Sequence, residues 1–346
     1  MSAQPSSTDN RPERARERNS MVTNETTRPQ IASARIVRYG DLRPCFNAFI
    51  DTRTPGSDKK ENFTIIGPGV SENPAQHVHI SEPHGFNIGG ARQPPGCTNS
   101  QHSHETAEVF FVHSGQWRFD LGEHGEDASV ELNPGDLISI PTGVFRGFTN
   151  IGTDTGFLWA VLGGDDPGRV LWAPKVFEMA KEYGLVLLDD GSLVDLASGD
   201  AIPPGKAPMP PTSRDQVAAL SRFTPAELEA CVARAGASGP KGAMGSLPGV
   251  ADTVLIGSGR MNWHHGFKVS KLVIEPSGVV PSHEFTGADV WFVQSGTVEV
   301  SIAGESAKVG PGDTITFPAN SPRALRNVGQ ARAELVCVRT DNRAAA

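Results

Sequence analysis

The chain has 346 residues, enough for two domains that each bury a core of their own. Its 31 Lys plus Arg against 39 Asp plus Glu give a net charge of -8, with no basic stripe to follow a phosphate backbone, so nucleic acid is not an expected partner. No segment approaches the ~18 apolar residues of a membrane span, none resembles a signal-peptide core, and the four cysteines lack CxxC spacing, so a reduced cytoplasmic protein is expected.

Residues 1 to 30 hold the charge run RPERARERNS among Ser, Asn and Pro, with too little apolar surface to repay ordering, and read as a disordered tail. Over residues 31–165, apolar and polar residues alternate with period two, as in VFFVHSGQWRFDL, and Gly or Pro-Gly breaks each run. That pattern predicts an antiparallel sandwich or small barrel. The first histidine pair, His77 and His79, has no following carboxylate or bracketing glycine and reads as a surface segment. His84 opens HGFNIGG and reads as packing at a strand start, with a contact near a functional site as the alternative.

The stretch GCTNSQHSHETAEVFFVHSG, from Gly96 to Gly115, is different. In an extended strand residues two apart share a face, so His102 and His104 point the same way, and Glu108 follows after a short turn on the neighbouring strand. Two imidazoles and a carboxylate can then meet on one cation; two histidines that merely polarise a strand corner are the alternative. His113 and His124 read as exposed, and Phe110 and Phe148 either line a pocket or fill the core. The run GDLISIPTGVFRGFTN, Gly135 to Asn150, closes this half and carries Arg146.

Residues 166–245 read as a partly helical connector. In it, APKVFEMAKEYG spaces apolar residues as a helix ending on Gly184, and LVLLDDGSLVDL is a hairpin around Asp-Gly. FTPAELEACVARAG has Thr224 as N-cap, Pro225 at the first helical position and Glu227 three residues after the cap. Residues 246–340 then repeat the first half: Gly135, Pro141, Arg146 and Asn150 recur at Gly312, Pro318, Arg323 and Asn327, each shifted by 177. Of the three candidate ligands this half keeps His283, with Phe285 and Asp289 in the other two places. It is expected to be a degenerate, structural barrel that packs on the first and helps a dimer form; a metal-free pocket in which Arg323, His283 and Asp289 bind a small anion is the alternative.

These motifs resemble those of the cupin superfamily. Its first motif, G-x5-H-x-H-x3,4-E-x6-G, is met by Gly96, His102, His104, Glu108 and Gly115. Its second, G-x5-P-x-G-x2-H-x3-N, is met by Gly135, Pro141, Gly143 and Asn150, with Arg146 in place of the histidine. The resemblance covers both halves and implies an all-β fold: two double-stranded β-helix (jelly-roll) barrels joined by the partly helical connector. It also implies a divalent metal on His102, His104 and Glu108, Fe(II) first, with Mn, Ni, Co or Zn compatible.

Arg146 has no lone pair and cannot be the fourth ligand. It is expected either to meet a substrate carboxylate or enolate as a planar fork, or to pair with Glu108 in a site that has lost its metal. The layout resembles gentisate and hydroxynaphthoate dioxygenases, which implies an oxygenase, a dioxygenase cleaving a small phenolic or carboxylated substrate with O2; a homodimer is expected from the packing role of the second barrel. A lyase, isomerase or decarboxylase that uses the ion as a Lewis acid, and a non-catalytic small-molecule binder, are the alternatives.

Overall fold

Alternating strands with one apolar face have to cover that face, and in each half two sheets cover each other. The computed structural model describes residues 35–245, 247–257, 259 and 261–341; the expected tail, residues 1 to 30, lies outside the described residues. The fold is mostly β, two jelly-roll barrels with few helices. In barrel 1 a seven-stranded sheet runs Val232–Ala233, Leu137–Ile140, Glu108–Ser114, Gly156–Gly163, Phe86–Gln93, Glu61–Ile66, Val78–Ile80. Facing it, a five-stranded sheet runs Val170–Trp172, Thr98–His104, Arg146–Asn150, Trp117–Leu121, Ala128–Leu132. Barrel 2 repeats the plan with a six-stranded sheet centred on Asp289–Ser295 and a four-stranded sheet centred on Arg323–Asn327 and Val298–Ile302.

Each barrel buries its own core, around Phe110, Trp117, Phe119 and Phe148 in the first and Trp291, Val300, Phe317 and Leu335 in the second. A third apolar cluster lies between the barrels, where the outer faces of the two large sheets stack. Neighbours along a strand point to opposite faces, so Phe110 enters barrel 1 while Phe111 joins the cluster between barrels. That is why the strand Glu108–Ser114 is buried on both faces from Glu108 to Val112 and reads as a continuous apolar run.

Equivalent positions meet across this interface. Phe86 faces Phe267 with ring centroids 5.8 Å apart, Phe111 faces Phe292 at 6.0 Å, and His113 Nδ1 lies 2.9 Å from Gln294 Oε1. Each of these pairs stands 181 residues apart in the chain, so the barrels are related by a pseudo-two-fold axis. His84 and His265 each reach into the other barrel: His84 Nε2 lies 2.6 Å from Thr316 Oγ1, and His265 Nε2 lies 2.7 Å from Ser139 Oγ. The role expected for them was local strand-start packing; they are cross-barrel contacts instead. His113, expected to be exposed, belongs to the same interface, whereas His124 is exposed.

Two short strands cross over. Ile36–Val37, which precedes barrel 1, pairs with Ile315 and Thr314 of barrel 2, and Val232–Ala233, at the end of the connector, pairs with Ile138 and Leu137 of barrel 1. Val170–Trp172 adds a further edge strand beside Thr98–His104. Between these strands lie the helix Pro174–Glu182, followed by Gly184 at φ 77°, and the hairpin Leu185–Leu187 with Leu193–Asp195. The helix Pro225–Ala230 starts on a complete capping box formed by Thr224 and Glu227. No described helix is long and apolar enough to cross a membrane.

Candidate metal centre

The strand Thr98–His104 carries His102 and His104 on the five-stranded sheet, and Glu108 opens the strand Glu108–Ser114 on the seven-stranded sheet. The turn between them therefore crosses from one wall of barrel 1 to the other. It brings the ligand atoms of His102, His104 and Glu108 within 4.8 Å of one another, all three buried. Among the described residues no other three His, Cys, Asp or Glu side chains gather in this way. His77 and His79 stack edge-on at 4.5 Å, His79 Nε2 accepts the Arg43 amide at 3.2 Å, and no carboxylate joins them.

His102 Nδ1 donates to the Ser100 carbonyl at 2.7 Å, which leaves the Nε2 lone pair free. Burial, reinforced by the Arg146 guanidinium, pushes His102 down to about 3 and holds His104 well below the usual imidazole range. Both rings are thus neutral and able to donate electron pairs at physiological pH. Burial pushes the Glu108 carboxyl up to about 7, outweighing the opposite pull of Arg146. Arg146 is itself lowered by burial and supported by Glu108.

Arg146 sits on the strand Arg146–Asn150, directly paired with His102. Its Nε lies 3.4 Å from Glu108 Oε2, and its Nη1 donates to the Val144 carbonyl at 3.2 Å. Glu108 Oε2, His104 Nδ1 and Arg146 Nε and Nη2 are all buried with no hydrogen-bond partner. Buried polar atoms in folded proteins are almost all satisfied, so a carboxylate oxygen that has only the 3.4 Å contacts to Arg146 Nε and His104 Nε2, and no hydrogen bond, fits a further partner such as a cation. Two imidazoles and one carboxylate suit Fe(II) with open positions, and also Mn, Co, Ni or Zn.

A cavity opens beside the three ligands, walled by Phe49, Phe110, Phe148 and Trp172 with Asn62 and Gln76 as polar groups. Phe110 and Phe148 therefore line a pocket as well as fill the core. No lysine or arginine lines it; Arg146 is paired with Glu108, as one of the two expectations for it had it, and its Nε meets the same Oε2 that lies 3.4 Å from His104 Nε2. Phe49, Asn62 and Trp172 come from segments without any spacing relation to the histidines, which is why sequence reasoning did not find them.

In barrel 2 the equivalent carboxylate is already consumed. Asp289 accepts from Arg323 Nη1 at 2.9 Å, from Arg339 Nε at 3.1 Å and from Trp291 Nε1, and Phe285 replaces the second imidazole.

Residues 91–161 and 270–339 match the family model of the cupin domain. The chain carries that domain twice. A comparison with curated protein sequences gives no match. Among solved structures, the chain aligns with an oxalate decarboxylase from Lactobacillus farciminis at 14% identity and a TM-score of 0.56, covering 89% of this chain and 86% of that one. It aligns with vicilin from Corylus avellana at 14% identity and a TM-score of 0.54, covering 89% and 85%. AerE from Microcystis aeruginosa aligns at 11% identity and a TM-score of 0.50, covering 89% and 100%. These likenesses are likenesses of fold.

Proposed function

We propose that this bicupin is a metal-dependent oxygenase, a dioxygenase whose barrel 1 holds one divalent ion on His102, His104 and Glu108. The observation that carries the reading is the convergence of two neutral imidazoles and a carboxylate oxygen without a hydrogen bond inside a cavity. When bound, such an ion supplies Lewis acidity and, as Fe(II), a route for electrons between substrate and O2. The chain's own residues do the rest. Ser100 fixes the tautomer of His102, Arg146 balances the charge of Glu108, and Phe49, Phe110, Phe148 and Trp172 keep water from the substrate space. A cavity wall without lysine or arginine favours a small phenolic substrate over a carboxylated one.

A second reading uses the same ligands for Lewis-acid chemistry, as a lyase, isomerase or decarboxylase; its support is the fold shared with oxalate decarboxylase. Oxygen uptake by Fe(II)-loaded protein over a panel of phenols and phenolic acids separates the two. Turnover that stops without O2 supports the dioxygenase, and equal turnover without O2 selects the Lewis-acid enzyme. Elemental analysis of protein purified without chelator tests the site itself: wild type should carry about one divalent ion per chain and His104→Ala far less. Equal content in both, or none in either, would overturn the assignment.

A further inference from the structure

A bulge in the strand Thr98–His104 governs how His102 is presented. Arg146 pairs with His102 and Phe148 pairs with Asn99, so Ser100 and Gln101 oppose Gly147 alone. A bulge frees backbone groups from the ladder and re-aims the side chains beside it. Here the freed Ser100 amide donates to Asp51 Oδ2 at 3.0 Å, and the freed Ser100 carbonyl takes the His102 Nδ1 proton at 2.7 Å.

Asp51 is held in turn by Lys60. The Lys60 ammonium donates to Asp51 Oδ1 and, at 2.8 Å, to Asn99 Oδ1, and both side chains of the pair are 0% exposed. Lys60 also reaches His102 from the other side: its Nζ lies 5.4 Å from the Phe49 ring centre, Phe49 meets Trp172 edge-on at 5.9 Å, and Trp172 packs against the His102 ring at 5.3 Å. Taking two charges out of water is costly and a buried ion pair is weak support for stability, so this pair calls for another reason to be there.

Barrel 2 supplies an internal comparison. The same bulge recurs between Val280 and His283, and His283 Nδ1 lies 3.0 Å from the Pro281 carbonyl. Pro281 stands 181 residues after Ser100, and proline has no amide proton to give a carboxylate. Where the ligand set is gone, the bond from the peptide amide to a carboxylate is gone with it, and the contact of the imidazole with the carbonyl is longer, 3.0 Å against 2.7 Å.

We propose that Asp51 and Lys60 are positioning residues for His102: through the Ser100 peptide they hold the imidazole in the Nδ1–H form with Nε2 turned toward His104 and Glu108. The inference rests on the metal reading above, yet it can be tested on the apo protein. Histidine 15N spectra report which ring nitrogen carries the proton, and competition with a chelator reports Zn(II) affinity. Two variants separate the links. Asp51→Leu/Lys60→Met replaces the pair with apolar side chains and strands no charge, and Ser100→Pro copies barrel 2 by removing the anchored amide together with the Ser100 hydroxyl, which also meets Asp51.

In both variants the His102 proton should divide between Nδ1 and Nε2, and Zn(II) affinity should fall about 10–100-fold. Folded variants that keep the proton on Nδ1 and lose less than about tenfold in Zn(II) affinity would overturn the proposal. If the double variant does not fold, Ser100→Pro decides alone. If wild type binds no Zn(II), the metal reading fails while the apo tautomer still decides this inference.

Discussion

Glu108 is pulled in two directions, and its neighbour Arg146 tips the balance. Burial favours the protonated carboxyl, the guanidinium at 3.4 Å favours the carboxylate, and an ion competes with the proton for the same oxygen. Metal affinity should therefore climb as pH rises to about 7 and level off above it. Arg146→Met removes the favourable charge, so the climb should move to higher pH; Zn(II) titrations between pH 6 and 9 measure the displacement. Removing one partner of a buried ion pair strands the other, so the same variant should also lose roughly 3–5 kcal/mol of stability, read as a lower melting temperature. Glu108→Gln keeps the shape but removes the charge, and should lose more affinity than the ~10–100-fold typical of outer contacts, read in the same titration. Of the three candidate ligands, His102 and His104 were legible from strand periodicity, which puts them on one face, and Glu108 from its place after a short turn. Asp51, Lys60 and Trp172 were not, since they approach through loops and edge strands whose meeting with His102 is decided only by tertiary packing.

Caps and turns are local, so the sequence announces them, whereas very short strands are defined by their partners. Thr224 accepts from the Glu227 amide while the Glu227 carboxylate accepts from the Thr224 amide, as the spacing predicts. Thr224→Ala should cost about 1 kcal/mol in urea unfolding, with Thr224→Asn losing much less. The helix it starts, Pro225–Ala230, ends at the strand Val232–Ala233, which completes the large sheet of barrel 1. Neither that strand nor Ile36–Val37 is long enough to show a period, and nothing in either names its partner. The repeated His-Gly-Phe opening was visible, but its cross-barrel reach depends on the stacking of two sheets that no local pattern encodes.

The two barrels should unfold as one unit, because a large apolar core is shared between them. Trp159 of barrel 1 stacks on Phe292 of barrel 2 at 5.1 Å, and its Nε1 lies 3.2 Å from Thr314 Oγ1. Trp159→Ala should cost about 3–5 kcal/mol and lower the melting of both barrels together, followed by near-ultraviolet circular dichroism. Acid should act on the same interface. Burial lowers His84 and takes His265 down to about 4, so the unfolded chain takes up these protons first. Stability is then complete above the unfolded value of ~6.5 and is lost as pH falls from there to about 4. His265→Gln should flatten part of that acid limb in a series of thermal melts. The architecture of paired barrels was legible in the repeat; the interface was not, because apolar residues on a strand do not say which of two faces meets which neighbour.

The reciprocal exchange of Ile36–Val37 and Val232–Ala233 has a consequence for heredity. Two separate one-barrel chains trading arms in this manner would be bound to change in step, since every substitution would appear on both sides of the axis. Joined in tandem, each half mutates on its own. Phe285 and Pro281 can thus stand in one barrel where the other has an imidazole and an amide donor, while the seam between the twins is kept.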